Sequence, residues 1–364
     1  MRRLILIVAV LAALCTPVLA EDVYAQEASI IGADSLTDAL DEDTRQYLPD
    51  ISRPSADSFT KSLWQLLTDT ISNLGGYWRE TLQTTGALLA VLALCAVLKN
   101  FESGRLTPVC TLGGTLALTL ICAGQFDAMI GLARQTLQKI TDFSSLLLPV
   151  LCSSCAASGG LTSSGALYAG SSFFMSVLTK AVSSLCIPLV YAYVALCAAE
   201  CMAAHSGLEK LREFVGWVIQ TALKAVMYIF TAYLAITGIF SGSADAITLK
   251  AAKTALSGAL PVVGGIVSDA TGSVLASAAA IKNGVGIFGM LAALAMGLLP
   301  FARIGLQYLA LKLCTALGGM LGTDEHVKLL SALSSAMGYM LAMTGSAIVM
   351  TLISCCCFMK VVGG

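Results

Sequence analysis

Residues 248–290, TLKAAKTALSGALPVVGGIVSDATGSVLASAAAIKNGVGIFGM, decide the fold that the sequence predicts. Two apolar runs of about 12 to 15 residues flank a short polar segment at 268–273, and each run is short for crossing about 30 Å of hydrocarbon. We therefore expect a re-entrant hairpin with its tip at 268–273. Non-helical backbone at membrane depth survives only where protein or a water-filled cavity satisfies its polar groups, so this tip implies a packed interior or a solute path.

The chain contains a second copy of this pattern. A set of six residues, Thr136, Leu137, Ser145, Leu148, Pro149 and Val150, recurs 112 residues later as Thr248, Leu249, Ser257, Leu260, Pro261 and Val262. Pro188 falls on Pro300 at the same spacing. The first copy predicts a hairpin at 143–176 with its tip at 153–165. A duplicated membrane unit built around broken helices is typical of transporters, whose site lies at the repeat interface.

Composition sets the class of protein. The sequence is 57% hydrophobic and 12% charged, with mean hydropathy +0.83, whereas about 25% of the residues in a soluble domain are charged. Only helices suit apolar segments of this length. We therefore expect an all-α, polytopic membrane protein with an internal duplication that contains two short re-entrant or broken helical hairpins. The net charge of -1 gives no basic field for nucleic acid.

The N-terminal part of the chain predicts export. Residues 1–20 are typical of a signal peptide, with Arg2 and Arg3 before an apolar run. Cleavage after Ala20, cleavage after Ala25 and retention as a first span stay open. Residues 21–58 are rich in acidic residues and predict a flexible extracytoplasmic arm.

The rest of the chain divides into five predicted segments. An amphipathic helix at 59–81 either lies in the membrane interface or packs on the protein. The segments that follow are the first span and its loop at 82–106, membrane repeat 1 at 107–213, membrane repeat 2 at 214–322 and a final span at 323–364.

The candidate transport path consists of small, hydroxyl-bearing or ionisable residues at the two tips and within the spans. They are Ser153, Ser158, Gly159, Gly160, Thr162, Lys224, Gly264, Gly265, Ser268, Asp269, Thr271 and Lys282. An ionisable group at mid-membrane indicates function, although a lysine such as Lys224 can also extend its amine to the interface. Asp269 and Lys282 either pair along a polar path or lie near an interface without a role. Glycines and hydroxyls suit a solute path and tight helix packing equally.

No motif indicates catalysis, a metal or a cofactor. Most of the 13 cysteines lie in apolar segments, where a free thiol acts as a small hydrophobic group. Cys152 and Cys155 have redox spacing but lack an α/β context and a second ligand pair. The sequence contains only two histidines, His205 and His326, and no phosphate-binding loop or nucleophile elbow. We expect no enzyme activity.

Several short motifs resemble the stage III sporulation protein AE family of endospore-forming bacteria. The first predicted hairpin contributes Leu147-Leu148-Pro149 and Ala157-Ser158-Gly159-Gly160, together with Thr162-Ser163. The block from Thr248 to Gly289 is the most specific part of the resemblance. Its motifs are Thr248-Leu249-Lys250-Ala251-Ala252-Lys253, Pro261-Val262-Val263-Gly264, Ser268-Asp269-Ala270 and Lys282-Asn283-Gly284-Val285-Gly286.

This resemblance implies a membrane component of the complex that joins mother cell and forespore. The expected location is the mother-cell membrane around the forespore, with the N-terminal arm extracytoplasmic. The expected partners are the lipid bilayer and the other membrane subunits of the stage III sporulation A complex, including its ATPase and its ring-forming components. The role is that of a permease-like or channel subunit; a non-conducting scaffold is the alternative. The family supplies no catalytic residues.

Overall fold

The computed structural model describes residues 36–37, 40, 42–46, 48, 56–101, 107–203, 206–259, 264–321 and 324–360. All regular structure in these ranges is helical. Six of the described stretches are long and apolar enough to cross a membrane, the shortest being Gly207–Thr237 and the longest Thr111–Ala157. The prediction of an all-α, multi-pass membrane protein is confirmed.

Eight α-helices follow one another along the described chain. They are Glu42–Arg45 (α1), Ala56–Phe101 (α2), Thr107–Ala157 (α3), Leu161–Lys180 (α4), Ile187–Ala203 (α5), Ser206–Ala259 (α6), Gly264–Met320 (α7) and Asp324–Lys360 (α8). A π-helical stretch, Ala181–Cys186, joins α4 to α5. It precedes Pro188, which has no N–H to donate to the preceding turn. Helix α3 alone, with 51 residues, is about 76 Å long at 1.5 Å per residue, well beyond one hydrocarbon layer.

Side-chain contacts define how the long helices pair. Helix α7 lies against both α3 and α8: a Cβ at Gly297 would meet Ile140 of α3 and Ile348 of α8. Near its C-terminus α7 approaches the start of α8, where a Cβ at Gly318 would meet Val327. These pairs fix α7 antiparallel to α8. Helix α4 runs antiparallel to α6, because Phe174 contacts Phe230 while Gly170 contacts Tyr233.

Helix α8 lies at the centre of the bundle. It contacts α3, α4, α5, α6 and α7, and most of its residues from His326 to Phe358 are buried, apart from an exposed stripe through Ala342, Val349 and Cys356. Residues 329–359 contain no charged side chain, and a helix that is apolar all round is expected to be enclosed by others.

The described part of the N-terminal arm packs on the bundle. Leu36 and Leu40 are buried in the hydrophobic core, and α1 contacts α7. The acidic stretch thus carries leucines that bury apolar surface against the helices, and a flexible arm at 21–58 stays a prediction. The predicted signal peptide, 1–20, lies outside the described residues.

The predicted boundary at 81/82 falls inside a continuous helix. Helix α2 runs through both the predicted amphipathic helix at 59–81 and the first span that follows it. Helix α3 likewise continues through its charged stretch at 127–142. Neither place carries a proline, which could break the helix. Charged side chains on one face of a helix leave its backbone hydrogen bonds intact. Charged residues form an exposed surface there instead.

The second predicted tip, 268–273, is helical, because α7 starts at Gly264. This corrects the expectation of non-helical backbone there. Helix α6 ends at Ala259, two residues before Pro261, and a proline disfavours helix in the residue before it. The chain between the two helices, 260–263, lies outside the described residues. A re-entrant course for either helix pair stays a prediction.

Charged side chains form a belt around the middle of the bundle. Its members are Arg79, Glu80, Asp127, Arg134, Lys139, Asp142, Lys180, Lys224 and Arg303, all exposed except the partly exposed Arg303. Two contacts align neighbouring helices with α3 at the two edges of the belt. The Tyr191 hydroxyl donates to Asp127 at 2.8 Å, and the hydroxyls of Thr141 and Thr179 lie 2.8 Å apart. The residues between these levels on α3 span about 22 Å.

Candidate functional site

The turn between α3 and α4, Ser158-Gly159-Gly160, is the most sharply defined polar feature of the first predicted hairpin. Gly159 has φ 100°, a conformation that only glycine adopts without strain. The Gly160 N–H donates to the Cys155 carbonyl at 3.0 Å, and the Gly159 N–H donates to the Ala156 carbonyl at 3.0 Å. These two bonds form a Schellman cap, so the end of α3 is closed by its own backbone.

The hydroxyls at this turn bond within the same helix end. The Ser158 hydroxyl donates to the Cys155 carbonyl at 2.8 Å, and that of Ser154 donates to the Leu151 carbonyl at 3.1 Å. Ser153 donates to the Val150 carbonyl at 3.0 Å. The three donors stabilise the turn. The hydroxyl oxygens keep lone pairs with which they can accept further hydrogen bonds.

Lys282 of α7 lies beside this turn with only 1% of its surface exposed. It interacts electrostatically with Cys155, which places its amine near the C-terminal turn of α3. The carbonyls there carry the negative end of the helix dipole, which stabilises a cation. The structure thus brings together Ser158, Gly159 and Gly160 from the first predicted tip and Lys282 from the second predicted hairpin. We call this group the turn–lysine site.

The other predicted path residues lie outside the turn–lysine site. Ser153 and Thr162 flank the turn and are exposed, and Lys224 is exposed on α6 within the charged belt. Five residues, Gly264, Gly265, Ser268, Asp269 and Thr271, lie in the first turns of α7, where the structure describes the backbone and not the side chains. The predicted pairing of Asp269 with Lys282 stays a prediction.

A second polar centre lies near the opposite end of the bundle. The Arg212 guanidinium donates to the Glu200 carboxylate at 2.8 Å and to the Tyr193 hydroxyl at 3.0 Å. A cavity of about 300 Å³ adjoins the ion pair and also contains Glu209 and Lys328. The only sequence signal for this pairing is two opposite charges twelve residues apart around a helix end, which does not predict a contact.

A third polar centre lies between α2, α3 and α7. Gln125 donates to the Thr84 hydroxyl, and Gln307 donates to the Gln125 amide oxygen. A cavity of about 230 Å³ borders both glutamines and contains Arg303 and Glu80. No sequence signal connects these residues, because each is an isolated polar side chain in an apolar helix.

Cysteines and acidic residues do not form a metal centre in the part of the chain that the structure describes. The described cysteines, among them Cys152 and Cys155, are not joined in disulfides. Cys155 and Cys355 are fully buried, which fits their prediction as small hydrophobic groups.

Comparison with known proteins gives one consistent family. A family model described as stage III sporulation protein AE matches residues 44–361. A protein named stage III sporulation protein AE from Bacillus subtilis (strain 168) is 24% identical to this chain over 261 residues. That alignment covers 71% of this chain and 65% of the relative, which is less than two thirds of the relative's length. No solved structure matches the chain.

Proposed function

The chain belongs to the stage III sporulation protein AE family, and we propose that it is an integral membrane core subunit of the sporulation complex linking mother cell and forespore. In this proposal it acts as a permease-like or channel subunit in the mother-cell membrane around the forespore. Its partners are the other membrane subunits of that complex, including the ATPase and the ring-forming components. The chain itself performs no catalysis, and ATP hydrolysis is left to the ATPase.

The observation that carries the conducting role is the burial of Lys282. Ionisable side chains inside an apolar membrane bundle are rare, and they commonly mark substrate or ion pathways. Lys282 is enclosed where the α3–α4 turn meets α7. Polar turns at the contact between two helix pairs are where membrane transporters place their substrate and ion sites. The turn–lysine site is therefore the best candidate for the point that a solute or a gating ion reaches.

A non-conducting scaffold is the second candidate, and a different observation favours it. The α3–α4 turn satisfies its own backbone through the Schellman cap, and its serine donors are bonded within α3. Glycines such as Gly289, against which Leu147 packs, bring the neighbouring helices into close contact, as in rigid membrane bundles. In a scaffold these features hold a rigid surface for other subunits.

Replacing Lys282 with methionine separates the two functions. Lys282→Met keeps the length of the side chain and removes its charge, so it preserves packing in a buried site. We expect a strain in which this variant replaces the endogenous protein to lose most of its spore yield, while the variant accumulates in the membrane and co-purifies with its partners as the wild type does. Lys180→Met is the matched control, because Lys180 is exposed on α4 and its loss should leave spore yield unchanged.

Two results contradict the conducting role. One is a normal spore yield in Lys282→Met, which would make the charge dispensable. The other is a loss of partner co-purification in parallel with spore yield while the purified variant keeps its unfolding temperature. That pattern would assign Lys282 to assembly and favour the scaffold.

A further inference from the structure

The cavity between α2, α3 and α7 has the shape and chemistry of a binding site outside the turn–lysine site. It encloses about 230 Å³ and is bordered by Tyr77, Glu80, Thr81, Gln125, Arg303 and Gln307. Gln307 is buried and bonds to Gln125, which bonds to Thr84, so these side chains line one side of the cavity with polar groups. Its volume is below that of a drug-sized ligand pocket, but its few converging polar groups suit a small polar group such as a head group.

Arg303 is the cation of this cavity and is available to a ligand. Its guanidinium lies over the Tyr77 ring, 4.2 Å from the centroid, which fixes the plane of the group. The nearest Glu80 oxygen is 3.6 Å away, longer than the 2.7–2.9 Å of a charge-assisted hydrogen bond. Among the described residues Arg303 makes this ion pair and no hydrogen bond, so its N–H groups keep the capacity to bind an oxyanion.

Glu80 supplies an anion at the mouth of the same cavity. Its side chain is 61% exposed, against 27% for Arg303, so the carboxylate lies on the outer side and the guanidinium on the inner side. A ligand that carries a phosphate and an ammonium a few bonds apart complements this pair. Its phosphate would displace the weak contact with Glu80 and pair with Arg303, and its ammonium would pair with Glu80.

The position of the cavity in the bundle indicates where such a ligand comes from. Charge-free segments of α2 and α3, 81–98 and 107–126, run from the belt to the loop between these helices, and each is about as long as the hydrocarbon thickness. Exposed Leu82 and Leu120 lie next to the cavity on these segments, and exposed Trp78 lies on the belt side. Tryptophan beside an apolar span indicates the head-group level of a bilayer.

We propose that this cavity binds the head group of a phospholipid that carries an amine, as phosphatidylethanolamine does. Arg303 holds the phosphate, Glu80 holds the ammonium, and the acyl chains lie along Leu82 and Leu120. Polar pockets between membrane helices bind head groups in this way. The lipid fastens α2 to α3 and α7 at the belt. The proposal depends on the membrane location of the protein and is independent of whether the turn–lysine site conducts.

Lipid retention tests the proposal directly. The protein is reconstituted in nanodiscs with equal amounts of phosphatidylethanolamine and phosphatidylglycerol, extracted and washed in mild detergent, and analysed by native mass spectrometry. The wild type should retain one phosphatidylethanolamine in preference to phosphatidylglycerol. Arg303→Met should lose this lipid. Glu80→Gln should still retain a phospholipid but lose the preference for the amine. Arg134→Gln removes an exposed belt cation outside the cavity and should behave as the wild type.

Three outcomes overturn the proposal, provided that unfolding temperatures show each variant to be folded. The first is lipid retention that does not change in Arg303→Met. The second is equal retention of both lipids by the wild type. The third comes from adding O-phosphoethanolamine to lipid-free protein in detergent. If this soluble compound stabilises the wild type and not Arg303→Met, while no lipid is retained, then the site serves a soluble phosphate amine and not a lipid.

Discussion

Gly159 shows how one residue sets the geometry of the turn–lysine site. Its φ of 100° closes the Schellman cap at the end of α3, and this cap directs the chain back into α4. The cap also fixes the carbonyls beside which the Lys282 amine lies. A side chain at position 159 would strain the conformation on which the whole group depends.

Gly159→Ala should lower the free energy of unfolding by about 1–2 kcal/mol, the cost of the left-handed conformation for a residue with a Cβ. Gly165→Ala is the control, because Gly165 lies within α4 and a Cβ there meets nothing within 4 Å. It should leave stability unchanged or raise it by up to about 1 kcal/mol. Thermal unfolding in detergent measures both. Equal effects of the two substitutions would show that the cap does not control the turn.

At the residue scale the sequence predicts part of the site. Lys282 stands out because ionisable residues are rare in apolar runs, and Ser158, Gly159 and Gly160 stand out as a cluster that favours a turn. The contact between the turn and Lys282 is not predictable from the sequence. Cys155 and Lys282 lie on different helix pairs, and neither segment contains a signal for packing against the other. Lys224 stands out for the same reason as Lys282, yet it is exposed on the belt. Lys282 and Lys224 differ in burial, and burial depends on tertiary packing that the sequence does not show.

At the scale of helices, the charged belt divides α3 into two apolar parts. The parts on either side of the belt, 107–126 and 143–157, contain no charged residue, and the belt between them is about 22 Å tall by the rise of an α-helix. Exposed charges are costly within hydrocarbon. The belt must therefore lie in water or among head groups, and a single bilayer cannot contain the whole length of α3.

This division predicts a pattern of chemical access along α3. A cysteine at Gln135, which is exposed within the belt, should react with a charged, water-soluble thiol reagent when the protein is in nanodiscs. A cysteine at Leu120, which is 74% exposed, should not react, because lipid covers it. The background lacks the native cysteines. An unreactive cysteine at position 135 would place the belt inside the bilayer and contradict this account.

Helix class and helix breaks were predictable to different degrees. Hydrophobic length identifies the spans, because few other structures satisfy the backbone in lipid. Breaks are harder to predict. Pro149 and Pro300 lie within continuous helices, whereas α6 ends two residues before Pro261. The same residue type bends, continues or ends a helix according to the neighbours that satisfy its lost hydrogen bond.

At the scale of the whole molecule, α8 organises the bundle. The predicted repeats, 107–213 and 214–322, leave this helix out, and the duplication stays a prediction. The structure nevertheless encloses α8 among α3, α4, α5, α6 and α7. Its charge-free stretch from 329 to 359 is the only sequence sign of that position. The length and hydropathy of its segments predict how many spans a chain has. They do not predict which span lies at the centre of the bundle.

In the proposed function, a polar path reaches the turn–lysine site inside this bundle. The direct measurement is the reactivity of Ser158→Cys with a small, charged thiol reagent in intact membranes, in a protein without its native cysteines and assembled with its partners. Thr344→Cys is the matched control, since Thr344 is equally buried at the centre of α8. We predict that Ser158→Cys reacts and Thr344→Cys does not. An unreactive Ser158→Cys in the assembled complex would contradict the path and favour the scaffold.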